Sequence, residues 1–232
     1  MPIPFRDQDE RDEWGTAAYL RLAPDPDRPG YRGALFQINA RGEPVEFTYN
    51  RVETPNSFLW RPADVRRAAL RRLTASLLAA CPQVPRLLLA LAAETPSELF
   101  CQDVQVAVPV ARVTVGLETA GYSTLEAPET LESPWAPDAA GEAAPAHAMS
   151  VAPDPAMTAT PDQAMGAAPD RPGAAAPAPP THLFWYPAPP AEGSLERAFA
   201  RHLTAHGLLL EPFERAAVGL AEVYGAADAI RP

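Results

Sequence analysis

Residues 148–171 hold one eight-residue motif three times in tandem: Ala148-Met149-Ser150-Val151-Ala152-Pro153-Asp154-Pro155, then Ala156-Met157-Thr158-Ala159-Thr160-Pro161-Asp162-Gln163, then Ala164-Met165-Gly166-Ala167-Ala168-Pro169-Asp170-Arg171. The Ala-Met and Pro-Asp pairs keep their phase while the residues between them drift. A stretch so rich in Ala, Pro and Asp offers too little apolar surface to offset the entropy of ordering it. The two flanking pieces must therefore find their stability elsewhere. The same bias extends over residues 121–180, which are read as a disordered linker. This segment carries 1 Arg against 8 Asp+Glu, whereas residues 1–120 carry 14 against 15 and residues 181–232 carry 4 against 6. Most of the formal charge of −10 thus belongs to the linker, and the remainder is close to neutral, with no global field to attract nucleic acid or an anionic membrane.

All 19 basic residues are Arg. Without lysine, Schiff-base chemistry, a lysine nucleophile and the phosphate-binding loop lysine are excluded. Cys81 and Cys101 are the only cysteines and lie in no metal- or redox-type spacing. The start, Met1-Pro2-Ile3-Pro4-Phe5-Arg6-Asp7-Gln8-Asp9-Glu10, turns acidic at once and has no apolar core of a secretion signal. The apolar stretch around Leu77–Ala93 is broken by Pro82, Pro85 and Arg86, short of the roughly 20 residues that span a bilayer. A cytoplasmic protein without a membrane partner is expected.

Residues 1–15 are charged and read as frayed. Thr16–Leu22 reads as a strand, and Gly33–Asn39 with Pro44–Arg51 as a hairpin whose alternating Val45, Phe47 and Tyr49 mark one face. Gly42 can supply the positive φ of the connecting loop. Pro62 and Asp64 open a helix that runs to about Cys81, with Val65, Ala69, Leu73 and Leu77 as its apolar stripe. Arg86–Ala93 is a continuous apolar run of the kind buried on both faces of a sheet. Asp103–Val115 adds one or two strands, Pro109 pointing to a bulge or an edge. After the linker, Thr181–Pro187 reads as a strand, Ser194 caps a helix to about His206, and Glu211-Pro212-Phe213 opens a last helix.

These elements predict one α+β domain with a mainly antiparallel sheet. Residues 16–120 form the β-β-β-α-β-β core, and residues 181–232 contribute a strand and two helices that dock back across the linker.

Chemistry is sparse in this pattern. His202 and His206 lie four apart on one helix, yet no acid stands between them and no third ligand is apparent; metal ligands and cofactors are not expected. Serine-nucleophile and glycine-rich phosphate motifs are missing, so no catalytic residue is assigned. The order strand, strand, strand, helix, strand over residues 16–93 resembles the opening of the ribonuclease H-like fold. That resemblance implies carboxylates converging on metal ions, one of them on the first strand. Here the first strand reads Ala17-Ala18-Tyr19-Leu20-Arg21-Leu22 and holds no acid. Asp64, Glu94 and Asp103 are the nearest candidates for a noncanonical acidic site.

Arg61, Arg66, Arg67, Arg71 and Arg72 place five guanidiniums in twelve residues, and Phe184, Trp185 and Tyr186 form an aromatic block. Both are candidate partner-binding surfaces. The leading expectation is a non-enzymatic protein–protein interaction or accessory subunit, with another protein as partner and nucleic acid not expected. Two alternatives stand beside it. One is a degenerate ribonuclease H-like or other metal-dependent acidic-site enzyme, and the other a nucleic-acid-associated protein acting through the Arg-rich helix.

Overall fold

The computed structural model describes residues 14–54, 58–115, 129–131 and 181–228; the octads, His147 and the expected frayed tip lie outside them. The described elements are β1 (Thr16–Pro24), β2 (Gly30–Asn39), β3 (Pro44–Glu53), α1 (Pro62–Ala80), β4 (Leu87–Leu91), β5 (Val110–Val115), β6 (Glu129–Leu131), β7 (Thr181–Tyr186), α2 (Leu195–Ala205) and α3 (Glu211–Asp228). A π-helical turn at Leu99–Asp103 precedes β5.

The strands make one seven-stranded sheet in the order β3-β2-β1-β4-β5-β7-β6. Antiparallel ladders join β1 to β2, β2 to β3, β5 to β7 and β6 to β7, while β1–β4 and β4–β5 are parallel. The expected α+β fold with a mainly antiparallel sheet is what forms, and the strand after the linker enters the sheet itself.

The hairpin turns at Asn39–Glu43. The Asn39 side-chain oxygen accepts from the N–H groups of Arg41 and Glu43, and Gly42 adopts φ +80°, a left-handed conformation costly for other residues. β3 is the outer strand, so its alternation gives less burial than the sequence pattern implies. Phe47 is partly covered, while Val45 and Tyr49 remain exposed.

β4 has the opposite situation. Leu87 and Leu89 point into one apolar core and Leu88 and Ala90 into the other, all of them fully buried. Pro109 marks no edge; it lies just ahead of β5, and its carbonyl accepts from Leu88 N–H. β5 is held on both sides by β4 and β7.

The two cores lie on opposite faces of the sheet. α1 covers one with Ala69, Leu70, Leu73 and Leu77, against Leu20, Leu35 and Leu88. α2 and α3 cover the other, where Phe199, Leu203 and Phe213 meet Tyr19, Phe36, Leu89 and Trp185. The Ser194 hydroxyl caps α2 by accepting from Arg197 N–H at 3.3 Å. In α2 Phe199, Ala200 and Leu203 are buried while Leu195 is exposed, and in α3 Phe213, Ala216 and Leu220 are buried. No helix among the described residues is long and apolar enough to cross a membrane.

The approach of α3 to β3 depends on Gly219. A Cβ built there would lie 2.7 Å from Cζ of Phe47, a ring already packed against Phe36 and Tyr49. Gly219→Ala gains about 1 kcal/mol of helix propensity, but overpacking costs about 1–3 kcal/mol. The expected net result is a lower midpoint of urea denaturation. A variant more stable than the parent would show that the helix can lift away at no cost.

Candidate functional site

Where β1 and β4 end side by side, two charges meet inside the fold. Arg21 lies within an otherwise apolar strand, and Glu94 just beyond β4. The Arg21 guanidinium stands 2.8 Å from the Glu94 carboxylate, with both side chains about four-fifths covered. Glu94 also accepts from Leu22 N–H at 2.9 Å, and Arg21 donates to the Phe213 carbonyl at 3.3 Å. One residue pair along, Tyr19 is fully buried and donates to the Leu208 carbonyl at 2.6 Å. Burial pushes its phenol far above the ordinary value. The first turn of α3 and the residues before it thus close the end of β1.

The loop that carries Glu94 is held from the other face. Arg112 on β5 is 2 % exposed and donates to the Thr95 carbonyl at 2.9 Å and to the Ala92 carbonyl at 3.4 Å, with its guanidinium over the Phe184 ring. The sequence signal for Arg21 and Arg112 was a lone cation inside an apolar run. Both pass unnoticed because their partners, Glu94 and Thr95, lie 73 and 17 residues away.

Of the three candidate acids, the structure does not bring Glu94 together with the others. Asp64 and Asp103 line an open depression of about 580 Å³ with Arg67, Arg71 and Arg72, whereas Glu94 is paired with Arg21. Asp103 is itself engaged by Arg67, whose Nε and Nη2 donate to its two oxygens at 2.8 Å while Nη2 also reaches Gln102. The Arg67 hydrogen bond holds the Asp103 carboxyl below the usual carboxylate range. Among the described residues no three His, Cys, Asp or Glu side chains are grouped to hold a metal ion. His202 instead meets the Ala40 carbonyl at 2.8 Å, and its ring packs against Trp14 and His206.

Of the Arg-rich segment, Arg71 and Arg72 lie on the outer face of α1, and Arg66 lies on another side of the helix, beside Leu70, Pro96 and Glu98. Arg61 is the residue before the helix, and Arg66, Arg71 and Arg72 are exposed and form no ion pair with any described carboxylate. Phe184 and Trp185 are buried in β7, and Tyr186 is half-buried. Trp185 Nε1 donates to Glu129, whose other oxygen accepts from Arg197 on α2, so one carboxylate ties β6, β7 and α2 together. The loop before α1 was not singled out in the sequence, yet Phe58, Leu59 and Trp60 are 94, 80 and 61 % exposed.

No protein-family model and no curated protein matches the chain. Solved structures of endonuclease V are similar to it over part of their length. That from Streptomyces avermitilis has 17% identity over 52% of this chain and 51% of its own, with a TM-score of 0.33. That from Bacillus subtilis has 13% identity over 44% and 46%, with a TM-score of 0.29. The Ciona intestinalis enzyme, in complex with a 24mer DNA containing an inosine followed by a ribo-adenosine, has 10% identity over 44% and 46%, with a TM-score of 0.31. The chain spans about half the length of the structures it matches.

Two expectations are corrected here. A non-enzymatic protein-interaction or accessory subunit, with nucleic acid not expected as a partner, does not accord with neighbours that are endonucleases, one of them on DNA. The physical reason for the error is an average taken over the wrong span. Residues 14–115 carry 12 Arg against 9 Asp+Glu, a balance of +3, which the 2 Arg against 5 Asp+Glu of residues 1–13, together with Glu118, conceal in the count over residues 1–120.

Burial pushes the Glu94 carboxyl up, although the Leu22 N–H and Arg21 both pull it down. A raised folded-state value favours the protonated form. The associated stability is fully present below the ordinary carboxylate range and is lost as pH rises through the raised value. Arg21→Met leaves Glu94 covered and unpaired, at a cost of about 3 kcal/mol at neutral pH. Part of this loss should return in urea denaturation at mildly acidic pH, and most of it on adding Glu94→Gln, whose amide oxygen can still accept from Leu22. A loss indifferent to pH and to Glu94→Gln would mean that Arg21 acts by packing alone.

Proposed function

We propose that this chain is a nucleic-acid-binding protein built on a ribonuclease H-like sheet, with the metal-dependent centre of that scaffold degenerate. The observation that carries the reading is the strand order combined with the Arg21–Glu94 pair at the ends of β1 and β4. Within the order β3-β2-β1-β4-β5, β2 runs against its four companions. This is the arrangement implied by the strand–strand–strand–helix–strand pattern of residues 16–93.

In such a sheet, metal-assisted phosphodiester cleavage needs carboxylates that converge on a cation and stabilise the attacking and leaving oxygens. The residues present do not fit that group. The first strand offers Tyr19 and Arg21 where an acid is required, and the one nearby carboxylate, Glu94, already faces a guanidinium at 2.8 Å. A divalent cation there would be repelled by Arg21, so no catalytic step is assigned to a metal. The exposed Arg71 and Arg72 of α1, which pair with no described carboxylate, support the binding half of the reading, since guanidinium contacts to phosphate give sequence-independent, salt-dependent affinity.

The test is binding and cleavage of labelled DNA and RNA oligonucleotides by the full chain, in Mg²⁺ and in EDTA. The expected outcome is retention at low salt that weakens steeply as salt rises, the same affinity with and without the metal, and an intact oligonucleotide. Millimolar Mg²⁺ or Mn²⁺ should leave the thermal midpoint unmoved. Metal-dependent cleavage that disappears in Glu94→Gln would refute the degenerate centre. Failure to retain any nucleic acid at low salt would refute the whole reading.

A further inference from the structure

We infer that the outer face of α1, together with the aromatic loop that precedes it, is a site for single-stranded nucleic acid. Phosphates would lie along Arg71 and Arg72, and an unstacked base against Trp60. This rests on the nucleic-acid reading above and goes beyond it by placing the contact away from the ends of β1 and β4.

Two adjoining features make the site. The depression of about 580 Å³ on α1 is lined by Arg67, Arg71 and Arg72 with Asp64 and Asp103. Arg67 is committed to Asp103 and Gln102, which makes it a wall of the depression and cancels the nearer acid. Arg71 and Arg72 are exposed and have no described carboxylate partner. Asp64 is the other acid facing this ridge.

A smaller groove of about 160 Å³ lies alongside, between the end of β3 and α1, with Trp60, Val52, Val65 and Ala68 as its apolar lining and Arg72 at its rim. Glu53, also at the rim, is 3.6 Å from Arg28. Arg72 therefore borders both features: it can hold a phosphate while the neighbouring base turns into the groove.

Single strands fit these observations better than duplex. Phe58, Leu59 and Trp60 expose three consecutive large apolar side chains to water, a patch that marks a binding surface. Aromatic platforms beside cations bind bases whose faces are open, and those faces are open only in unpaired strands. Arg71 and Arg72 are consecutive, about 1.5 Å apart along the helix axis, a footprint of one or two phosphates. An acidic polypeptide would satisfy the arginines but would leave Trp60 and Phe58 with nothing to stack on.

Fluorescence anisotropy of the full chain with labelled oligothymidine, an abasic oligomer of equal length, and a duplex tests the site. Oligothymidine should bind most tightly. Each single-strand phosphate contact contributes about 0.7 to the slope of log affinity against log salt, so Arg71→Ala with Arg72→Ala should lower that slope by about 1.4. Trp60→Ala should weaken oligothymidine roughly tenfold and the abasic oligomer hardly at all, and Trp60→Phe should retain most of the affinity. Arg201→Ala, an exposed arginine on α2, serves as the control that changes nothing, and unchanged thermal midpoints show that the variants fold.

Oligonucleotide binding indifferent to all three ridge and loop variants would overturn this site while leaving the proposed function standing. So would duplex bound as tightly as single strands. If nucleic acid is ignored but polyglutamate is bound in an Arg71- and Arg72-dependent way, the ridge is a protein-docking surface and both readings fall.

Discussion

Everything in this structure is organised around a nine-residue strand with almost no solvent on either face. β1 pairs with β2 in one direction and with β4 in the other, and its side chains alternate between the core under α1 and the core under α2 and α3. Such a strand can hold polar groups only if each finds a partner within the fold, because an unsatisfied buried donor or charge costs several kcal/mol. Tyr19 solves this with the main-chain carbonyl of Leu208. Arg21 does so through its two terminal nitrogens, on the Phe213 carbonyl and the Glu94 carboxylate, while its Nε makes no hydrogen bond among the described residues. The bonds to Leu208 and Phe213 join the sheet to residues nearly two hundred positions further along the chain, and they fix where α3 begins.

The same interaction decides what the sheet can do. A strand end that opened onto water could assemble a cluster of anionic oxygens around a cation. This one is closed by a helix start and filled by a guanidinium paired with a carboxylate. Arg112 strengthens that closed corner from the opposite face by binding the loop after β4. On the outer side of α1, by contrast, Arg71 and Arg72 pair with no described carboxylate, and the proposed binding is assigned to that surface.

Much of the architecture was legible in the residues. Alternation and Gly42 located the hairpin, a four-residue spacing of Ala and Leu gave the buried side of α1, and the unbroken Leu87–Leu91 run announced a central strand. Less was legible at the site. A single Arg within a strand has no meaning until its partner is known, and for Arg21 that partner, Glu94, is 73 residues away. The π-helical turn at Leu99–Asp103 gives no periodic signature because it is one turn long. Charge counted over residues 1–120 hid the balance of +3 in residues 14–115, and the exposure of Phe58 and Trp60 depends on where β3 stops, which composition does not reveal. Pro109 misled because a proline just ahead of a strand and a proline at a sheet edge look alike in sequence.

The short pairing of β6 with β7 brings distant parts of the sequence to one place. Leu131 and Thr181 are directly opposed across that ladder, so positions fifty apart in the chain stand one strand spacing from each other. On its other side β7 is registered by six residue pairs with β5, from Val110–Tyr186 to Val115–Thr181. None of these pairs involves an octad residue, so a change in octad number alters the sequence distance across the ladder and leaves every partner in it the same.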